Sequence, residues 1–568
     1  MTETAPAGSP PSTVRAIARA AVERAWQAAI DGGTLPPRPA DGPPEVEIER
    51  PADARHGDLA TNLAMKLARP YRMAPLAIAE AIRAELEIAI AADPGATPFA
   101  SAAVAPPGFL NLNLADHVLE TAIAAILERP DAWGRIRPTR SRAVNVEFVS
   151  ANPTGPLHIG NARGAFVGDL LCRVLEAGGQ RVTREYYFND SGAQIRILGA
   201  SVAAIRRGEP LPEEAYRGAY VHEIAAAVTD ELASEAAAPG ADEADVLGRW
   251  AAARVREGIE ASLERLGVHF DVWTSEGSLH AEGWVERAVE RLRERGHLYE
   301  EDGALWFRST AFGDDKDRVI TRSNGEPTYF AADIGYVTEK FSRGFDHLIY
   351  IWGADHHGTV ARVRNAAEAM GYDREAVQML LYSWVRFVRG GEEVSMSKRS
   401  GEFITLDELL EEVGVDVARW MFASRAATSA IDFDIEAAKV QAENNPAHYP
   451  RYAHARLASI LRKAADAGLV PAPDVTGRLS PAPEAALARA IVRFPEVIED
   501  AVAAEETVSI TAYVTELATV FSGFYRDARV IDPAEPERSA ARLALASATR
   551  TTLANALALL GISAPDAM

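Results

Sequence analysis

The chain has one cysteine, Cys172, in 568 residues. That excludes an internal disulfide and any multi-cysteine zinc site, so no structural zinc is expected. Long apolar runs are missing too: none approaches the ~18 residues a bilayer span requires. The opening MTETAPAGSPPST lacks the basic-then-apolar order of a secretory signal. Positive charge is in deficit, with 59 Lys and Arg against 81 Asp and Glu and a formal net charge of -22. Any nucleic acid would therefore have to meet a locally basic face. Together these absences point to the cytoplasm, with no membrane partner.

A hydrophobic content of 48% beside 25% charged residues is that of a globular protein, and the length allows about three domains. Residues 1–13 read as a disordered tail. Residues 14–130 read as an α+β domain: a helix over Thr13–Ala29, a proline-broken loop at Pro36–Pro44 and a strand in VEIE. A helix starting near Asp58, a helix over Pro75–Ala92 and one half-buried strand over Ala103–Leu114 complete it.

Residues 131–404 alternate strands with helices, which implies a Rossmann-like parallel sheet, with an insertion at about 195–300. Its expected core strands are AVNVEFV, Val182–Phe188, Leu348–Trp352 and Leu380–Val388. Ligands of such sheets lie at the carboxyl ends of strands, so the turns after Val149, Phe188 and Trp352 are candidates. Beyond Thr405 the periodicity is almost wholly helical, giving a connector over 405–440 and an α-helical bundle over 441–568.

The most informative stretch is AVNVEFVSANPTGPLHIGNARGAFVGD, 143–169. It reads as a buried strand, a Pro- and Gly-broken turn, and a helix ending at Gly178-Gly179 that carries Cys172 on its apolar face. A helix N-terminus attracts phosphate, glycine lets a nucleotide approach the backbone, and histidine can donate to developing negative charge. Alone, the stretch fits a nucleotide site or an ordinary βα turn. Far downstream, GGEEVSMSKRSGEF places Lys398 in a Gly- and Ser-rich loop, suited to holding phosphates as charge builds on them.

HIGN at 158–161 and SMSKR at 395–399 resemble the HIGH and KMSKS signatures of class I aminoacyl-tRNA synthetases. VEFVSANPTGPLHIG, YYFNDSGAQI, PTYFAADIGY, WGADHHG and MSKRSGEFITLDEL are similar to arginyl-tRNA synthetases, in order and at that family's spacing. HGDLATNLAMKLA and GFLNL resemble its N-terminal tRNA-contacting domain. NNPAHYPRYAHAR, GFYRDARV and LLGISAPDAM resemble its anticodon-binding domain.

The resemblance implies an arginine–tRNA ligase, which forms arginyl-adenylate and pyrophosphate from L-arginine and ATP, then arginylates tRNA(Arg). Its catalytic residues would be His158, Asn161 and Lys398. ATP would be held by Ala151, Asn152, Pro153, Thr154, Gly155, Pro156, Leu157, His158, Ile159, Gly160 and Asn161. Gly353, Asp355, His356, Met396, Ser397 and Lys398 would complete that site, with Mg2+ arriving on the nucleotide. Arginine would meet Glu147, Ser150, Asn152, Tyr329, Asp333 and Asp355; carboxylates suit a planar, permanently charged guanidinium. If PTYFAADIGY is helical, Tyr329 and Asp333 share a face. Asn189, Asp190 and Gln194 could line the same pocket, with a helix N-cap as the other role open to Asp190.

For tRNA, the resemblance points to His448, Arg451, Tyr452, Arg456, Tyr525 and Met568; Arg462 and Lys463 add cations to that helical segment. Asp355-His356-His357 invites a metal reading, but adjacent histidines point apart and no third ligand group is evident, so no protein-held metal is expected. Two departures from the family pattern stand out. Asn161 replaces the last histidine of HIGH, and Ser395 replaces the first lysine of KMSKS, which shifts the burden to Lys398, with Arg163 or Arg399 as further sources of charge. A monomer is expected.

Overall fold

The computed structural model describes residues 13–40, 42–138, 140–393, 404–440, 445–472, 474–479 and 482–568. Residues 1–12 of the tail expected at 1–13, and the SMSKR loop, lie outside them. Thr13 is a helix cap rather than tail. Its Oγ1 accepts the Ala16 N–H and donates to Glu499, starting the helix Val14–Asp31.

The N-terminal region departs from the sequence reading at three points. VEIE is extended but joins only by a single bridge from Glu49 to Ala60. Leu59–Thr61, read as helix, is a fully buried strand beside Phe109–Leu114, and the helix begins at Leu63. Asp58 does not cap that helix, because its carboxylate accepts from Leu114 N–H and Arg489 Nε, both at 2.8 Å. The single strand expected over Ala103–Leu114 is a hairpin, Phe99–Ala105 with Phe109–Leu114, because Pro106, Pro107 and Gly108 turn the chain. The helix Pro75–Ala92 matches the expected span.

The central sheet has five strands: β1 Ala143–Glu147, β2 Arg181–Phe188, β3 Val272–Ser275, β4 His347–Gly353 and β5 Val377–Tyr382. All pairs are parallel, in the order β5-β4-β1-β2-β3. Strand order therefore reverses between β1 and β4, which opens a crevice at their carboxyl ends. The sequence reading missed β3, four residues long and half-buried throughout. It also missed a small antiparallel sheet, Leu298–Glu301, Ala304–Phe307 and Arg318–Thr321.

Leu380–Val388 is not one strand. β5 ends at Tyr382, and Val385–Arg389 pairs in parallel with Ile431–Asp434, inside the segment expected to be helical. Arg163 causes the break. Its buried guanidinium donates to Ser383 O at 2.9 Å, Trp384 O at 3.2 Å and Ala426 O at 2.7 Å. It is thereby committed to structure rather than to countering ligand charge.

In the insertion, Ala193–Arg207 and Glu243–Leu266 pack backbone to backbone: a Cβ on Gly199 would lie 1.9 Å from Ala244 O. Cys172 is buried in the helix Ile159–Ala177, as expected. One apolar core runs from Trp26 through Val146 and Phe166 to Phe521 and Leu553. Arg419, fully buried, joins its parts. It donates to Asp169 of the helix Ile159–Ala177, to Leu266 O at 2.9 Å and to Leu560 O at 2.8 Å. Ion pairs Arg15–Asp500 and Arg50–Glu496, both at 2.6 Å, fasten the N-terminal region to the C-terminal helices.

Candidate active site and nucleic-acid groove

The crevice between β1 and β4 is bordered by the start of the helix Ile159–Ala177, where Asn161 N–H donates to His158 O at 2.8 Å. His158 precedes the first turn in extended conformation, and Asn161 Oδ1 accepts the His158 backbone N–H at 3.3 Å. The family departure at Asn161 therefore has a local structural function as the returning half of a capping box.

The same segment makes a second connection that periodicity could not reveal. Ile159 N–H donates to Ile404 O at 3.1 Å, and Leu406 N–H donates to Leu157 O at 2.9 Å. A β-bridge thus joins His158 to Thr405. It anchors Ile404–Leu406, a few residues downstream of the SMSKR sequence, against HIGN. Met396, Ser397, Lys398 and the neighbouring Ser395 and Arg399 themselves lie outside the described residues.

The loop before HIGN is held from several sides. Val149 and Ser150 have φ of 67° and 42°, the left-handed region that non-glycine residues, and valine above all, avoid. Ala151 is clamped by Tyr186, whose hydroxyl accepts its N–H at 3.0 Å and donates to its carbonyl at 2.9 Å. Asn152 is exposed and donates to Gln194 Oε1 at 2.9 Å. Pro153, Thr154 and Gly155 are buried, with the Tyr220 hydroxyl donating to Thr154 O at 2.8 Å. Pro156 and Gly160 are half-buried within the same turn. At the end of β4, Gly353, Asp355 and His356 form the facing rim, with the His356 ring 5.7 Å from that of Trp352.

Beneath this loop, PTYFAADIGY does form a helix, Tyr329–Ser342, placing Tyr329, Asp333, Tyr336 and Lys340 along one side. Tyr329 is 74% exposed at the mouth and Lys340 fully buried at the far end. Burial, then the charges of Glu147 and Glu276, push the Asp333 carboxyl up to about 7. A half-buried acid with carboxylate neighbours and no ion pair among the described residues suits a cation.

Glu276 was not singled out from sequence. It opens the helix Glu276–Ala281 directly after β3 and accepts from the Tyr187 hydroxyl at 2.9 Å. Its only sequence signal was an acid following a short strand, and that strand was itself unrecognised. Glu147 accepts from Lys340 Nζ at 2.7 Å and Ser150 Oγ at 3.1 Å. Glu185 accepts from the Tyr336 hydroxyl at 2.6 Å and Arg343 at 2.7 Å; Lys340 and Arg343 outweigh its burial and hold it below the usual carboxylate range. The acids therefore fall into two groups: Glu147 and Glu185 have internal cations, and Asp333 and Glu276 have no ion pair among the described residues.

Three other residues singled out from the sequence take the following places. Asp190 accepts from Ser275 Oγ and does not cap the helix after it, where Gly192 stands. Asn189 accepts the Ser191 N–H at 3.0 Å. Asp355 is exposed on the rim, where its charge pushes up the Tyr382 hydroxyl, already raised by burial.

The C-terminal helices form a groove of 740 Å³ lined by Tyr452, Arg456, Arg462, Lys463, Tyr525, Arg529 and Met568, among others. The Arg456 guanidinium lies 5.7 Å from the Tyr525 ring centroid. Cations interleaved with rings suit unpaired bases and their phosphates, and this is a basic face on an acidic chain. His448 and Arg451 are not part of it. His448 is buried at the start of the helix Tyr449–Asp466, and Arg451 pairs with Asp416 at 2.8 Å and with Ser563 at 2.9 Å. Among the described residues, no group of three or more His, Cys, Asp or Glu side chains could hold a metal. Nor is any described helix long and apolar enough to cross a membrane.

A parallel sheet opened at its reversal point, with HIGN starting the helix behind β1 and Thr405 bridged to His158, is the architecture of a class I aminoacyl-tRNA synthetase. The family model "tRNA synthetases class I (R), catalytic domain" matches residues 122–422. "Arginyl tRNA synthetase N terminal domain" matches 15–114, and "DALR anticodon binding domain" matches 451–568. The arginine–tRNA ligase of Bacillus licheniformis is 44% identical over 92% of this chain and 95% of its own length. That of Bacillus subtilis is 43% identical over the same shares. The structure of Thermus thermophilus arginyl-tRNA synthetase, 23% identical, shares the fold with a TM-score of 0.74 over 97% of this chain and 100% of that one. The chain belongs to the arginyl-tRNA synthetase family.

Proposed function

We propose that this protein is an arginine–tRNA ligase of translation: it forms arginyl-adenylate and pyrophosphate from L-arginine and ATP, then esterifies arginine to the 3′-terminal adenosine of tRNA(Arg). The observation that carries the reading is the bridge between His158 and Thr405. The chain just beyond the SMSKR sequence is thereby held beside HIGN, at a crevice lined by acids suited to a guanidinium.

Neither step needs covalent participation by the protein; positioning and charge stabilisation supply the rate. The residues from Ala151 to Asn161 would receive the adenosine and α-phosphate, with the helix N-terminus and His158 donating as charge shifts toward pyrophosphate. Lys398 would carry the β- and γ-phosphate charge, with Met396 and Ser397 in the same loop. Gly353 and His356 would bound the adenosine from β4. Mg2+ bound with ATP would neutralise phosphate charge and favour the leaving group. Asp333 and Glu276 would take the guanidinium, with Tyr329 closing the mouth; Asn152 and Ser150 would orient the α-amino end.

Pyrophosphate exchange with each of the twenty amino acids, with and without tRNA, tests the reading. Exchange with arginine alone is the expected result. Exchange with another amino acid, or with none, refutes it.

For tRNA we propose the C-terminal groove. Arg456→Ala is expected to weaken tRNA binding about tenfold and lower the salt slope by about one. The KM values for arginine and ATP should stay at parent levels; filter binding across a salt series checks this. We further propose a cytoplasmic monomer, with residues 14–130 and 441–568 contacting tRNA and 131–404 performing the chemistry.

A further inference from the structure

Of the described arginines that are not exposed, Arg362 alone has neither a hydrogen bond nor an ion pair. Its Nε is fully enclosed without a hydrogen-bond partner. Others of that group are committed, Arg163 to backbone carbonyls, Arg318 to Asp314 and Arg419 to Asp169. A half-buried guanidinium left unpaired gives up hydration and recovers nothing for it within the fold.

Arg362 lies in the helix His357–Ala369, which starts at the crevice rim after β4 and the turn Ala354–His356. Helical side chains lean toward the start of their helix, and this one does: a Cβ built on Gly358 would lie 3.7 Å from a terminal guanidinium nitrogen. Gly358 is exposed, and the His356 side chain does not cap the first turn. The guanidinium therefore adds its charge to the positive end of the helix, at the rim.

The face of the sheet decides which anion can meet it. The crossovers after β1 and β4 leave the reversal point in opposite directions. Being right-handed, they place the helices Ile159–Ala177 and His357–Ala369 on opposite faces. HIGN, proposed above to receive ATP, belongs to the first face. Arg362 belongs to the second, where its helix packs against Tyr329–Ser342, which carries the exposed Tyr329 ring. A cation and an uncovered ring across the crevice from the nucleotide suit a single RNA strand.

We propose that Arg362 binds the phosphodiester of the 3′-terminal nucleotide of tRNA and so positions its ribose for the transfer step. That ribose has to reach the adenylate inside the crevice, and its phosphodiester is the charge that enters with it. The fork of guanidinium donors matches phosphate. This rests on the arginine–tRNA ligase reading above.

Arg362→Gln and Arg362→Lys test it against the parent enzyme. In aminoacylation at varied tRNA(Arg), R362Q should lower kcat/KM for tRNA about tenfold or more, and R362K, which keeps the charge without the fork, by less. In pyrophosphate exchange at saturating tRNA, the arginine and ATP KM values should stay within about twofold of the parent. R362Q should melt at or above the parent temperature, because no internal partner is lost. Equilibrium binding is then compared for tRNA(Arg) and the same tRNA shortened by its 3′-terminal nucleotide. The shortening should weaken the parent by about the factor that R362Q loses on the full-length tRNA, and should cost R362Q far less.

Equal losses by R362Q on the two tRNAs would overturn the assignment. So would raised arginine or ATP KM values at parent tRNA kinetics, which would give the anion to a small substrate. An R362Q that melts several degrees lower would make Arg362 a part of the fold and overturn it as well. If the parent does not charge tRNA with arginine, the functional reading itself fails. If the parent charges it and R362Q matches the parent throughout, only this inference falls.

Discussion

Asp333→Asn is expected to lower kcat/KM for arginine by roughly two to three orders of magnitude, while the ATP KM changes little. The amide keeps the shape and one acceptor but removes the charge, and an ionic partner left buried and uncompensated costs ~2–5 kcal/mol. At about 1.4 kcal/mol per decade that reaches the stated range. Exchange at varied arginine and fixed ATP measures it. A loss confined to kcat, with arginine KM unchanged, would remove Asp333 from the guanidinium site.

The same residue sets a pH dependence. Burial and the charges of Glu147 and Glu276 push its carboxyl up to about 7. Below that pH the group is largely neutral and a poor guanidinium partner, so the arginine KM should fall as pH rises toward 7 and level off above it. For stability the sign is the reverse. Between the ordinary carboxylate range and about 7, the native state holds a proton that the unfolded chain has released, so stability falls as pH rises. Asp333→Asn should therefore melt higher than the parent above pH 7, with the gap closing as pH drops toward about 4. A gain in stability together with a loss of activity is the signature of a site whose charge is held for a ligand.

Lys398→Ala should reduce adenylate formation by about two to three orders of magnitude, the usual scale for removing a donor aimed at developing charge. Arginine affinity, measured by equilibrium binding without ATP, should be unchanged, because the acid pair is built from other elements. The departure at Ser395 makes the effect larger than in a loop with two lysines, since no second lysine shares the triphosphate. Asn161 is the other departure, and its carbonyl oxygen is engaged with the His158 N–H. Wild-type turnover in K398A would show that the loop's charge is supplied elsewhere and would undo the assignment.

The sequence by itself determined a great deal here. Contiguous motifs carry their chemistry in order, so HIGN, SMSKR and PTYFAADIGY named the family, and 3.6-residue periodicity found the helices Pro75–Ala92 and Ile159–Ala177. Local turn chemistry was less legible. The local pattern starts a helix near Asp58, but the partners that hold its carboxylate, Leu114 and Arg489, are 56 and 431 residues away.

Only the tertiary structure decided which charges are spent. Arg163 is held by three backbone carbonyls, and Arg451 is paired with Asp416 and Ser563, partners that no local pattern shows. Glu147 and Asp333 are both acids at one pocket, yet Lys340 neutralises the first, while the second has no ion pair among the described residues. Side-chain identity sets what a residue can do. Long-range pairing, which no local pattern encodes, sets whether its charge is still available to a substrate.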